Sequence, residues 1–111
     1  MALDAANLIV PLVKPVAVAA GTSTLYTPTA AHVYTVKKMR FTNTDTVNSK
    51  TFQLFVGGAT QDKAITPVFT VDPGGFAESD DFVVLNAAAD TLQVIASATG
   101  LTFCMYGLDQ S

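Results

Sequence analysis

Short runs of β-branched and aromatic residues recur along this chain, and each run ends at a turn sequence. This pattern restricts the fold most, because a strand alternates its buried residues whereas a helix repeats them every 3.6 positions. In one run, Phe52, Leu54 and Val56 share a face, and Gly57 and Gly58 follow. We expect about eight such strands, at residues 16–20, 24–27, 33–42, 51–56, 65–71, 81–85, 91–98 and 101–107.

Many short strands without helical periodicity between them predict an all-β protein. A chain of 111 residues has the length of one domain. We therefore expect a single antiparallel β-sandwich, either jelly-roll or Ig-like, over residues 16–111. An extended N-terminal arm, residues 1–15, precedes it.

The arm is apolar and contains two prolines, which lack a backbone donor and favour extended chain. Two interpretations stay open: the arm is an edge strand of its own domain, or it is a tether that docks on a neighbouring molecule. Its apolar candidates for partner binding are Leu8, Ile9, Val10, Leu12 and Val13.

The longest run, residues 33–42, breaks its own alternation. Met39 and Phe41 share a face, but Val36 falls on the opposite one. A β-bulge near Lys37 and Lys38 would restore the register. Alternatively, Val36 lies on a face that a partner covers.

Half of the residues are apolar, only 14% are charged, and the net charge is −3. A negative chain offers no general basic field to nucleic acid or to an anionic membrane. No apolar run approaches the roughly 20 residues of a membrane-spanning helix, and no basic segment indicates a signal peptide. Because Val36, Phe55 and Ile95 are assigned to outer faces, we interpret the low charge as an indication of protein partners.

The charged residues fall into two clusters. Basic partner-binding candidates are Lys37, Lys38 and Arg40, with Lys50 nearby, and Tyr34 is the aromatic neighbour expected on their face. The acidic cluster comprises Glu78, Asp80 and Asp81. Solvated surface is the simplest interpretation of each cluster. Alternatives are a basic-to-acidic contact between copies, calcium at the carboxylates and nucleic acid at the cations.

No catalytic, cofactor or metal site is expected. His32, in a predicted loop, would need a nucleophile and an orienting acid to act as a catalytic base, and no G-x-S-x-G or comparable sequence is present. Cys104 is expected to be a buried free cysteine in the last strand. We therefore expect a protein that is not an enzyme and has no small-molecule substrate.

Several strand and turn sequences form a familiar arrangement. They are residues 25–28 (Leu-Tyr-Thr-Pro), 34–44 (Tyr-Thr-Val-Lys-Lys-Met-Arg-Phe-Thr-Asn-Thr), 76–81, 84–86 with 89–92, and 106–107. Over residues 16–107 the chain resembles the small virion structural proteins of tailed bacteriophages. It departs from their loose pattern where Pro28 directly follows Thr27, and where Ala89 replaces the usual glycine before Asp90.

The resemblance carries no catalytic residue and implies a structural role. The leading expectation is a capsid decoration (cement) protein on the virion surface, made in the cytoplasm of the host bacterium. Its partners would be the major capsid protein and copies of itself in a homo-oligomer such as a trimer. A tail, neck or fibre-base component is the runner-up, and a carbohydrate-binding module for host attachment is third.

Overall fold

The computed structural model describes residues 9–80 and 83–110. Nine strands lie in these ranges: β1 Val10–Ala17, β2 Gly21–Tyr26, β3 Val33–Asn43, β4 Lys50–Val56, β5 Phe69–Val71, β6 Phe76–Ser79, β7 Val83–Leu85, β8 Leu92–Ala96 and β9 Leu101–Gln110. A single 3-10 turn, Gln61–Lys63, interrupts the connection from β4 to β5. The all-β expectation is confirmed.

Two antiparallel sheets form a sandwich. The long sheet has the order β1-β9-β3-β6, with β7 also paired to β3, and the short sheet has the order β2-β8-β4-β5. Strands from the start of the chain pair with strands from its end: β1 pairs with β9, and β2 pairs with β8. This is the jelly-roll arrangement, so of the two sandwich topologies that the sequence left open, the structure has the jelly-roll.

One strand is shorter than expected because a backbone donor is missing. The run expected at 65–71 is paired as β5 only over Phe69–Val71. Pro67 lacks an N–H, which explains why regular pairing does not extend through it. The strand expected at 81–85 is described from Val83 onward, while Asp81 lies outside the described residues.

Aromatic side chains join the two sheets in the core. Phe41 of the long sheet stacks on Phe52 of the short sheet at 3.9 Å between ring centroids, and Phe103 lies 4.8 Å from Phe41. Leu54, Val94 and other aliphatic residues complete the cluster. Inward and outward residues alternate along β8 and β9 as the sequence pattern predicts.

The irregularity in the longest run is a β-bulge. The pairing of β3 with β9 shifts between Val36 and Lys38, so that Val36 and Met39 both face the core. Gly107 lies opposite Val36, and a Cβ atom there would collide with the carbonyl oxygen of Thr35. The expectation of Val36 on an outer face is therefore wrong, and the bulge is the interpretation that the structure supports.

The arm contributes a strand to its own domain. β1 is the edge strand of the long sheet and pairs antiparallel with β9. It runs through the boundary expected between residues 15 and 16. Leu12 and Val13 pack against the core, whereas Leu8 lies outside the described residues. Within the described part of the chain, the arm is thus an edge strand.

Candidate interaction surfaces

The outer face of the long sheet carries the basic candidates in a regular array. On β3, Lys38 and Arg40 point outward, because Met39 and Phe41 between them face the core. Glu78 of β6 lies across from Arg40, and Tyr106 of β9 lies across from Lys38. We call this surface the open face; its outward residues are Lys38, Arg40, Thr42, Phe76, Glu78, Asp80, Val84, Thr102, Cys104 and Tyr106.

Basic and acidic side chains of the open face pair within one chain. The Lys38 ammonium lies 3.4 Å from a Glu78 carboxylate oxygen and 3.8 Å from an Asp80 oxygen. The Arg40 guanidinium lies 3.4 Å from Glu78 and 4.3 Å from the ring centroid of Phe76. The Nε atom of Arg40 is buried and has no hydrogen-bond partner among the described residues. Two members of each cluster that the sequence singled out therefore meet here, whereas Lys50 pairs with Asp45 and Asp81 lies outside the described residues.

Tyr34 does not lie beside these cations. The bulge inserts an extra residue after Val36, which places Tyr34 on the core side of β3, where it is buried. The expected aromatic neighbour of Lys38 and Arg40 is therefore wrong. Phe76 and Tyr106 are the aromatic residues near the two cations. A pattern read along one strand could not reveal them, because both come from other strands.

On the short sheet, part of the outer face is covered by the chain itself. Phe55 faces away from the core, yet it is 0% exposed. Residues 57–66 fold back along β4, where Ala64 bridges to Phe55 and the Gln61 side chain bonds to that of Gln53. Gln53 also donates to the carbonyl oxygen of Thr66 at 2.9 Å. Phe55 therefore lies on an outer face as expected, but the chain's own residues 57–66, and not a partner, cover it.

The edge strand β1, together with Ile9 just before it, leaves apolar side chains in contact with solvent. Ile9 is 63% exposed, Val16 is 44% exposed and Val10 is also exposed. Among the described arm candidates, Leu12 and Val13 stabilise the sandwich itself, whereas Ile9 and Val10 remain available to a partner. Val16 is an addition that the candidate set did not contain.

At the opposite edge, a small cleft opens between the sheets. Its volume is about 70 Å³, and apolar side chains of β4 and β5 line it together with Ala77 of β6. Phe69 lines this cleft and is itself partly exposed.

His32 belongs to a polar and aromatic cluster at one end of the sandwich. Its Nδ1 lies 2.7 Å from an Asp109 carboxylate oxygen, and its ring stacks on Tyr34 at 5.8 Å. Tyr26 meets Tyr34 edge-on at 5.2 Å. Burial, followed by the hydrogen bond with Tyr34, raises the pKa of the Tyr26 hydroxyl above its ordinary value of 10.0. The contacts tie the loop before β3 to the last strand.

Cys104 and the carboxylates show no metal-binding arrangement in the part of the chain that the structure describes. Cys104 is half-buried on the open face, so the expectation of a buried cysteine is wrong. No group of three or more His, Cys, Asp or Glu side chains within residues 9–80 and 83–110 is placed to hold a metal ion. No helix among these residues is long and apolar enough to cross a membrane.

Comparison with known proteins does not assign this chain to a family. No family model matches the chain, and no curated protein matches it. One solved structure, described as "Bacillus endospore appendages form a novel family of disulfide-linked pili", is similar over 100% of this chain and 98% of its own. The sequence identity is 20% and the TM-score is 0.48, so this distant likeness assigns no function.

Proposed function

We propose that this chain is a non-enzymatic structural protein of a bacteriophage virion, with capsid decoration as its leading role. It binds the outer shell, contacts the major capsid protein and copies of itself, and stabilises the shell against internal pressure. The observation that carries this proposal is the apolar edge strand β1, with Ile9, Val10 and Val16 exposed on a folded sandwich. Fold alone does not specify function, although jelly-rolls do occur in viral capsid domains.

The mechanism is burial of apolar surface at junctions between capsid subunits. An edge strand has unpaired backbone groups on its outer side, which a strand of another protein can pair with. Exposed apolar side chains add about 25 cal/mol for each Å² that such a contact removes from water. The contribution repeats at every copy, so a small protein can stabilise a large shell.

Deletion of residues 1–15 would be a poor test of this role. β1 pairs with β9, and Leu12 and Val13 pack against the core. The truncated chain would lose an edge strand together with the binding residues, and misfolding would resemble loss of binding. Exposed positions on the same strand test binding without this complication.

We therefore suggest Ile9→Asp and Val16→Asp, with Val68→Asp as the matched control. Val68 is exposed just before β5, which is the edge strand of the short sheet. Binding to shells assembled without this protein should weaken by about tenfold or more for the β1 variants, because a charge then enters the apolar contact. The control should bind normally. Equal binding by all three variants would contradict the proposal.

Copy number in the intact particle separates decoration from the alternative role. A decoration protein is present at many equivalent surface sites, whereas a neck, tail or fibre-base component forms one small ring. Quantification of the chain against the major capsid protein decides between them. A ring stoichiometry would overturn the decoration role and favour the alternative.

A further inference from the structure

We propose that the open face of the long sheet is a contact surface between two copies of this chain. The two copies would face each other across a two-fold axis that runs parallel to β3 and β6 and midway between them. This inference does not rest on the virion role, because it concerns the isolated protein in solution. The edge strand β1 remains free in such a pair.

Among the described residues, none covers the open face in the way that residues 57–66 cover the short sheet. Phe76 is 57% exposed and Val84 is 52% exposed, and Tyr106 also reaches solvent. Aromatic residues and arginine are enriched in the parts of interfaces that contribute most binding energy. Arg40, stacked on Phe76, therefore has the composition and the position of an interface centre.

Charge layout identifies a second copy as the partner. The cations Lys38 and Arg40 occupy adjacent outward positions on β3, and the anions Asp80 and Glu78 occupy the facing positions on or just after β6. Neighbouring strands are separated by roughly 4.8 Å. Rotation by half a turn about the proposed axis exchanges the two columns, so each cation of one copy meets an anion of the other.

A partner with a uniformly acidic or basic surface would match only one of these columns. The balance of two cations and two anions instead makes the surface complementary to itself, as a two-fold contact requires. The present pairs also remain accessible to a second copy, since the Arg40–Glu78 separation is 3.4 Å and the Arg40 side chain is 43% exposed. Removal of water would strengthen each charge pair across the contact.

The first experiment measures self-association of the full chain by sedimentation equilibrium at low salt. We expect a monomer–dimer equilibrium whose dissociation constant rises at least about tenfold in Arg40→Glu. Lys63→Glu is the matched control, because it makes the same charge change beside the short sheet. A wild-type protein that stays monomeric up to about 1 mM overturns the proposal. Equal weakening by the two substitutions also overturns it.

The second experiment tests the arrangement of cations on β3 opposite anions on β6. It uses two variants whose open faces carry opposite charge. Lys38→Glu with Arg40→Glu makes both columns negative, and Glu78→Lys with Asp80→Lys makes both positive. Each variant alone should be monomeric, while an equimolar mixture should form a one-to-one dimer that high salt dissociates. Circular dichroism of each variant confirms folding before mixing.

The mixture separates the proposal from a general charge effect. If either variant dimerises alone as well as the wild type does, the contact lies elsewhere and the proposal is wrong. The same holds if two folded variants do not associate when mixed. Binding to shells can fail while the dimer persists, or persist while the dimer fails, so the two proposals are tested independently.

Discussion

The two outer faces of the sandwich each carry an outward phenylalanine, and these two side chains differ in their exposure to solvent. On the short sheet, residues 57–66 return along β4, and Phe55 becomes 0% exposed. On the long sheet, Phe76 lies beside Arg40 and remains largely exposed. The same residue type thus belongs to the folded interior in one place and to an available surface in the other.

This difference shows that apolar content is a poor measure of partner binding. The sequence pattern assigned Phe55 to an outer position, because it counts only alternation along each strand, and it predicted no strand at Phe76. The return segment, residues 57–66, converts the outer position of Phe55 into a second, smaller buried site. The apolar surface that remains for other molecules is therefore smaller than the sequence indicates. It includes β1 and the open face, together with exposed residues elsewhere such as Val47 and Val68.

Truncation of the covered phenylalanine should have the largest effect. Phe55→Ala leaves a cavity between β4 and the return segment and should lower the free energy of unfolding by about 3–5 kcal/mol. Urea denaturation followed by circular dichroism measures this change. A loss below about 1 kcal/mol would mean that the return segment collapses onto the cavity or does not cover Phe55 in solution.

Gly107→Ala should come next, because the bulge decides which side chains of β3 reach the open face. The added Cβ atom meets the Thr35 carbonyl oxygen and must displace β9 or β3. We expect a loss of about 1–3 kcal/mol in unfolding free energy. Gly21→Ala is the control: its φ is +82° and nothing lies within 4 Å, so only backbone strain of about 1 kcal/mol is expected.

Asp45 offers a pH-dependent contrast with the exposed pairs of the open face. Hydrogen bonds from the Val47 backbone, from Lys50 and from Asn48 hold the pKa of its carboxyl well below the ordinary 3.8. A carboxyl whose folded pKa is lowered stabilises the protein above its unfolded pKa and loses this contribution as pH falls through the folded value.

Asp45→Asn should therefore destabilise the protein at pH 7, and its difference from wild type should shrink below about pH 3.8. Thermal unfolding at pH 7, 4 and 2.5 measures the change. Glu78→Gln, on the open face, should change stability by less than about 1 kcal/mol and should depend on salt. A constant Asp45→Asn effect across this pH range would show that charge does not contribute.

The smallest change in stability should come from Phe76→Ala. Its ring is mostly in water already, so the free energy of unfolding should change by no more than about 0.5 kcal/mol. Chemical denaturation at a concentration below any self-association tests this. A loss close to that of Phe55→Ala would show that the open face is covered, and the comparison between the two faces would fail.

Local rules predicted much of the fold. The turn at 72–75 forms with Gly74 at φ +69°, and the Gly75 N–H donates to the Asp72 carbonyl oxygen. Asn43 starts an Asx turn by accepting from the Asp45 N–H at 3.0 Å. The bulge near Lys37 and Lys38 was one of two open interpretations, and the structure supports it because Val36 and Met39 both face the core.

Contacts between segments that are distant in sequence could not be predicted from these local rules. The partner of Lys38 is 40 positions away in sequence, and nothing in either segment specifies that they are neighbours. The burial of Phe55 depends on a return segment that has no strand pattern of its own. For the same reason, Phe76 and Tyr106 were not found as residues of the candidate surface.

The sequence by itself determined the elements: alternation set the strands, and glycine, proline and asparagine set their ends, because these effects act within a few residues. Only the tertiary structure decided which outward residues stay outside. That decision depends on strand order and on a returning loop, which bring together residues far apart in the chain. The open face, with its paired charges and exposed aromatic rings, exists only after the sheet has formed.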